Sequence, residues 1–333
     1  MPSPKDQVEE VERGLFDVVA VTAASAVNAS EDRRSKKLSL RLLRQALSED
    51  PGSLRRILTE VLDLPEQRIE ELGELLNKTT LTAIIQGARL ITSRLDFLTG
   101  LELLVFDAQS KEQLLERSQL HRILANETWI FGEEFALTAD DQTLTTVLRK
   151  HLGLLSRDDL AVDTPVLDQE GRPRVVDLMM ARSIEQAKNR REHLIVELKR
   201  PAVRIGDDEL TQIKKYAYAV ADDERFSKTA VAWDFVVVSN ELDPFAEREA
   251  SQRARMPGLV SETEDGRVRV WARTWAEIIE AAKHRLKFVQ QSLQYTPGRE
   301  EAIEHLRRVH AKYLPEVFAE AEPETVSAAQ ESG

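Results

Sequence analysis

The run His193-Leu194-Ile195-Val196-Glu197-Leu198-Lys199 decides how this chain is read. Its apolar, partly β-branched centre predicts a buried strand, and Glu197 and Lys199 stand at its carboxyl end. Residues i and i+2 of a strand project to the same face. Glu197 and Lys199 therefore emerge together, while Leu194, Val196 and Leu198 turn to the opposite face and into a core. Upstream, Val175-Val176-Asp177-Leu178-Met179-Met180 predicts a second strand that carries one acid. A short strand over Ala161–Leu167 and a turn at Gln169-Glu170-Gly171 predict that this second strand is half of a hairpin. Downstream, Leu210, Ile213, Ala217 and Val220 recur at helical spacing, so a helix lies on the sheet. Gln212 and Tyr216 sit one turn apart on an adjacent face of that helix.

These residue types suit phosphodiester hydrolysis. That reaction needs a hard cation to neutralise phosphate charge and activate a water. Mg²⁺ takes oxygen ligands and keeps several waters, so one or two carboxylates suffice. Asp177 and Glu197 can supply them, and the Leu198 carbonyl, beside the Glu197 carboxylate, can complete the shell. Lys199 can polarise the attacking water or stabilise charge developing on phosphorus. Glu197-Leu198-Lys199 is the only acid-x-Lys triplet in the chain. The competing reading makes Glu197 and Lys199 a surface ion pair on an edge strand.

The region from about Glu116 to Trp275 resembles the PD-(D/E)xK nuclease superfamily and, within it, the Shedu anti-phage defence nucleases. The residues that carry the likeness are Trp129-Ile130-Phe131-Gly132, then Asp177, then Val196-Glu197-Leu198-Lys199-Arg200-Pro201, then Gln212-Ile213-Lys214-Lys215-Tyr216. Val176 stands where the superfamily's name would put Pro. The resemblance implies an α/β fold, a mixed sheet of restriction-endonuclease type flanked by helices and preceded by an all-helical domain. It implies Asp177 and Glu197 as metal ligands, Lys199 as the catalytic lysine, and Gln212 and Tyr216 as supporting or DNA-positioning groups. It implies Mg²⁺, with Mn²⁺ as a substitute, a DNA substrate, a homo-oligomer and a role in phage defence. A phage component or a DNA end as trigger belongs to the same expectation. The superfamily often places an extra acid on the helix before the sheet; Glu116 is the first candidate, with Glu133 and Glu134 as rivals. A non-catalytic, nuclease-like DNA-binding or scaffold module, and a restriction or repair nuclease of another pathway, are the alternatives.

Composition bounds the rest. The 333 residues suffice for two domains, and 42% hydrophobic with 31% charged residues is a globular balance. There is no cysteine, which excludes disulfides and thiolate metal sites. The first residues show no signal-peptide pattern and no apolar run is of membrane-spanning length, so the cytoplasm is the expected location, with no membrane partner. A net charge of −12 argues against indiscriminate nucleic-acid binding. Between Arg182 and Lys215, however, nine bases face six acids, and Lys214 is the favoured phosphate contact. No Gly-x-x-x-x-Gly-Lys-Ser/Thr loop is present, which argues against a P-loop ATPase.

Before the sheet, apolar stripes predict helices over Val8–Asn28, Leu38–Leu47, Leu54–Leu62, Pro65–Leu76, Leu81–Leu98 and Lys111–Ala125. After it come a strand over Ala230–Val238, a hairpin turning at Glu264-Asp265-Gly266, and helices over Trp275–Leu293 and Glu300–Tyr313. The expected divisions are a helical domain at 1–110, a nuclease-like domain at 111–296, a carboxyl-terminal helix at 297–318 and a disordered tail at 319–333. Trp129 and Phe131 read as core anchors. His121, His151 and His193 lack metal-ligand spacing and read as structural or surface residues.

Overall fold

The computed structural model describes residues 66–133, 135–155, 162–183, 191–227, 231–253 and 255–318. The helices expected at Val8–Asn28, Leu38–Leu47 and Leu54–Leu62, and the tail at 319–333, lie outside the described residues. Two compact units divide the chain, Met1–Arg89 and Leu90–Gly333. In the first, helix α1 spans Glu66–Lys78, and helix α2, Leu81–Phe106, runs on into the second.

The second unit is mixed α/β. Its elements in chain order are β1 (Ala136–Thr143), α3 (Leu144–Leu154), β2 (Val175–Ser183), β3 (Arg191–Leu198), α4 (Asp207–Asp222), β4 (Val231–Ser239), β5 (Leu259–Glu262), β6 (Val268–Thr274), α5 (Trp275–Leu293) and α6 (Arg299–His310). The six strands form one sheet in the order β1-β2-β3-β4-β6-β5. The pairs β1–β2, β2–β3 and β5–β6 are antiparallel, whereas β3–β4 and β4–β6 are parallel. Parallel neighbours require a crossover, and α4 supplies it between β3 and β4. β4 is apolar at all but Asp234 and Ser239, and β3 is apolar in its centre, Leu194-Ile195-Val196, because helices cover both faces. One layer packs Ile195, Phe235 and Val270 against Leu210, Ile213, Ala217 and Val220 of α4. The other packs Leu178, Val196 and Val238 against α5, α6 and the end of α2.

Local chemistry fixes the element ends. Acids at Asp207, Asp208 and Glu209 face the positive end of α4, and Glu209 Oε2 accepts the Gly206 N–H at 2.9 Å. Thr274 and Glu277 form a reciprocal cap on α5, with contacts at 2.8 and 3.3 Å. The hairpin between β5 and β6 turns where expected, with Gly266 at φ +66°.

Three expectations change. No strand forms over 162–167; only an isolated bridge joins Leu167 to Pro173. Pro165 and Pro173 have no N–H to give to a ladder. The strand that carries Asp177 pairs instead with β1 on one side and β3 on the other. The single helix expected over Lys111–Ala125 breaks at Leu114 and Leu115, both extended, then resumes as a π-helical turn at Glu116–Leu120 and a short helix at His121–Leu124. Finally, α2 continues past Leu98 to Phe106. Leu95, Phe97, Leu98, Leu101, Leu104 and Val105 join the sheet's core, so the sheet-bearing unit starts at Leu90. Among the described residues, no helix is long and apolar enough to cross a membrane.

Candidate functional site

The β2–β3 register pairs Leu178 with Val196. One rung further, the same register sets Asp177 opposite Glu197, so both acids project from one face at neighbouring positions. Asp177 Oδ2 accepts the Leu198 N–H at 2.8 Å, which ties the acid to the end of β3. Lys199 follows that strand and stays in the ladder, donating its N–H to the Val238 carbonyl at 2.9 Å. Its ammonium therefore emerges next to Glu197.

A four-residue network closes around the Glu197 carboxylate. Lys199 Nζ donates to Glu197 Oε1 at 3.1 Å and to Gln212 Oε1 at 2.9 Å. Gln212 Nε2 donates to Glu197 Oε1 at 2.7 Å and to the Tyr216 hydroxyl at 2.8 Å. The two α4 residues thus reach the strand end from one helical turn, while Ile213 and Ala217 of the same helix enter the core. Among the described residues, Glu197 Oε2 is buried with no hydrogen-bond partner. An anionic oxygen withdrawn from water and left unpaired carries a desolvation penalty.

Electrostatics follow from this burial. Burial first, and then the neighbouring Asp177 carboxylate, push the Glu197 carboxyl up to about 8, well above its ordinary 4.5. Burial also raises Asp177, partly offset by the Leu198 N–H. The Tyr216 hydroxyl rises to about 12 through burial and the nearby Glu197 charge. Glu116 joins from the π-helical turn. Its Oε2 accepts the Arg200 N–H at 3.1 Å, and burial raises its carboxyl, with the Lys199 ammonium opposing. Three acids held above their ordinary range around one ammonium form a site short of positive charge.

The structure therefore brings Asp177, Glu197, Lys199, Gln212, Tyr216 and Glu116 together. The rivals of Glu116 stand apart: Glu133 is ion-paired with Arg94, and Glu134 lies outside the described residues. The Leu198 N–H serves Asp177. Among the described residues, no three His, Cys, Asp or Glu side chains are gathered into a ready metal cage. The donors present are nonetheless hard oxygens, and Glu197 Oε2 is buried without a hydrogen-bond donor among the described residues. That set fits a partly hydrated Mg²⁺ held by one or two carboxylates.

Sequence reasoning missed the surroundings of the site. His151 Nδ1 and His193 Nε2 lie 2.8 Å apart, fully buried beneath Trp233 and Phe226. A cavity of about 330 Å³ opens beside them, lined by Val220, Phe226, Trp233 and Arg267. It adjoins the starts of β4 and β6, at the opposite end of the sheet from Glu197; its acids, Glu264 and Asp265, belong to the β5–β6 turn, and Asp265 is paired with Arg267. The turn at Gln169-Glu170-Gly171 forms where expected, but its contact with α4 was missed: Glu170 meets Lys215 and Arg174 at the edge of the network. Its only sequence signal was the excess of bases up to Lys215. The favoured phosphate contact, Lys214, is paired with Glu249 at 3.5 Å.

Comparison with known protein families, curated proteins and solved structures gives no match.

Proposed function

We propose that this protein is a metal-dependent DNA nuclease of PD-(D/E)xK type that hydrolyses phosphodiester bonds. The observation that carries the reading is the buried Glu197 carboxylate. It sits opposite Asp177, is bonded through one oxygen to Lys199 and Gln212, and has its other oxygen unpartnered.

Asp177, Glu197 and the Leu198 carbonyl are the groups that would hold Mg²⁺ or Mn²⁺. Such an ion, when bound, supplies positive charge to the phosphate and a more acidic water. Lys199, freed from Glu197, directs its ammonium at the attacking water or at charge developing on the phosphate. Gln212 keeps the Lys199 ammonium in place and orients Glu197. Tyr216 stays protonated at neutral pH and fixes the Gln212 amide. Glu116 holds the Arg200 backbone and adds negative charge beside the cation site.

The defence role, a cytoplasmic location, a homo-oligomeric assembly and a phage-derived trigger rest on the likeness to the Shedu nucleases. Incubation with linear and circular DNA tests the reaction. Cleavage is expected with Mg²⁺ or Mn²⁺, and none with EDTA or in Glu197→Ala. The absence of a preformed three-ligand cage among the described residues favours a second reading, a nuclease-like module that binds DNA without cutting it. Equal DNA retention with EDTA and with Mg²⁺, and no nicking under either, would establish that second reading.

A further inference from the structure

The turn that leads into β2 sets one acid among three cations. The Glu170 carboxylate is ion-paired with Lys215, lies 3.4 Å from Arg172 and lies 3.6 Å from Arg174. Lys215 precedes Tyr216 on α4, and Arg174 stands three residues before Asp177, so the cluster borders the proposed active site. Arg174 is near enough to Tyr216 for its charge to act on the phenol.

The frame around Glu170 is fixed. Asp168 is buried; its Oδ1 accepts the N–H groups of Glu170 and Arg172 at 2.9 Å each, and its Oδ2 holds Arg174 at 2.5 Å. Gly171, at φ +75°, completes the turn. The carboxylate is tied closely to Lys215 and loosely to the two arginines. Glu170 is 41% exposed and Arg172 70% exposed, and water screens exposed pairs of this kind. The two arginine contacts also exceed the roughly 2.7–2.9 Å of a charge-assisted hydrogen bond. That slack suits an anion whose oxygens spread wider than those of a carboxylate.

We propose that Arg172, Arg174 and Lys215 form a subsite for a backbone phosphate of DNA, and that Glu170 occupies it until a phosphate displaces it. This deepens the nuclease reading and rests on it. Glu170 then sets the affinity threshold of the rim. With it in place, three bases are opposed by two acids, Asp168 and Glu170; without it, a full extra positive charge is available to the strand.

The test measures binding of a short labelled duplex by fluorescence anisotropy, with EDTA at low salt, beside a Mg²⁺ cleavage assay of the unaltered protein. Glu170→Gln is expected to tighten binding about three- to tenfold. Glu264→Gln makes the same charge change in the far β5–β6 turn and is expected to leave binding unchanged. Arg172→Ala, at a largely exposed side chain, and Lys215→Ala are expected to weaken binding, each lowering the salt slope by about one. Equal binding by Glu170→Gln and the unaltered protein, or an equal gain from Glu264→Gln, would overturn the subsite while leaving a cleaving enzyme intact. A gain for inorganic phosphate with none for the duplex would likewise overturn the assignment to DNA. If the unaltered protein fails to cleave with Mg²⁺, the nuclease reading falls, and the subsite with it.

Discussion

Glu197 shows how a single side chain ties stability to the proposed chemistry. Its carboxyl is held near 8 in the folded state against an ordinary 4.5, so between these values the native protein binds a proton there that the unfolded chain releases. Stability from this group is full below about pH 4.5 and is lost as pH rises through about 8. In metal-free buffer, the unfolding free energy of the wild type relative to Glu197→Gln should fall across that window by a few kcal/mol, measured by denaturant melts at several pH values. A flat difference would refute the burial argument. Lys199→Ala removes the ammonium bonded to Glu197. We expect cleavage to fall by at least about 100-fold with the circular dichroism spectrum retained. Wild-type cleavage by this variant would sink the assigned mechanism. Asp177, Glu197 and Lys199 were legible because strand periodicity fixes which residues share a face. The orphaned Glu197 oxygen and the tie from Asp177 to the Leu198 N–H were not, since both depend on the depth to which the sheet is covered.

Among the elements, α4 was the most legible. Its apolar spacing gave its contact face, and Leu210, Ile213, Ala217 and Val220 are all buried. β1 was the least legible. Ala-Leu-Thr-Ala-Asp-Asp-Gln-Thr alternates poorly and carries two adjacent acids, which suit an edge strand but give no strand signal. The break at Leu114–Leu115 was equally hidden, because helical periodicity continues across it while tertiary packing buries Leu114. The close packing of α2 on α6 yields a prediction at this scale. A Cβ at Gly100 would lie 2.7 Å from Leu306 Cγ, in a fully buried contact. Gly100→Val should destabilise the protein by about 1–3 kcal/mol by overpacking, seen as a lower thermal midpoint. An unchanged midpoint would show that the two helices can separate at little cost.

In the sheet-bearing unit as a whole, the candidate site lies where the sheet is best protected. β3 and β4 are central, parallel and covered on both faces. Their amides should exchange with deuterium only through global unfolding, while β1 and β5 at the edges exchange sooner; mass spectrometry of timed samples reads this directly. Faster exchange in β3 than in β1 would contradict the layered core. The mixed α/β class was legible from the apolar runs, whereas the strand order was not, because pairing joins segments distant in sequence. The antiparallel pairing of β2 with β3 has one last consequence. A one-residue slip of β2 along β3 would turn the acid through the sheet, toward the layer of Val196 and Leu198; a two-residue slip would return it to its own side, displaced along the strand. The centre is thus governed by the parity of that alignment.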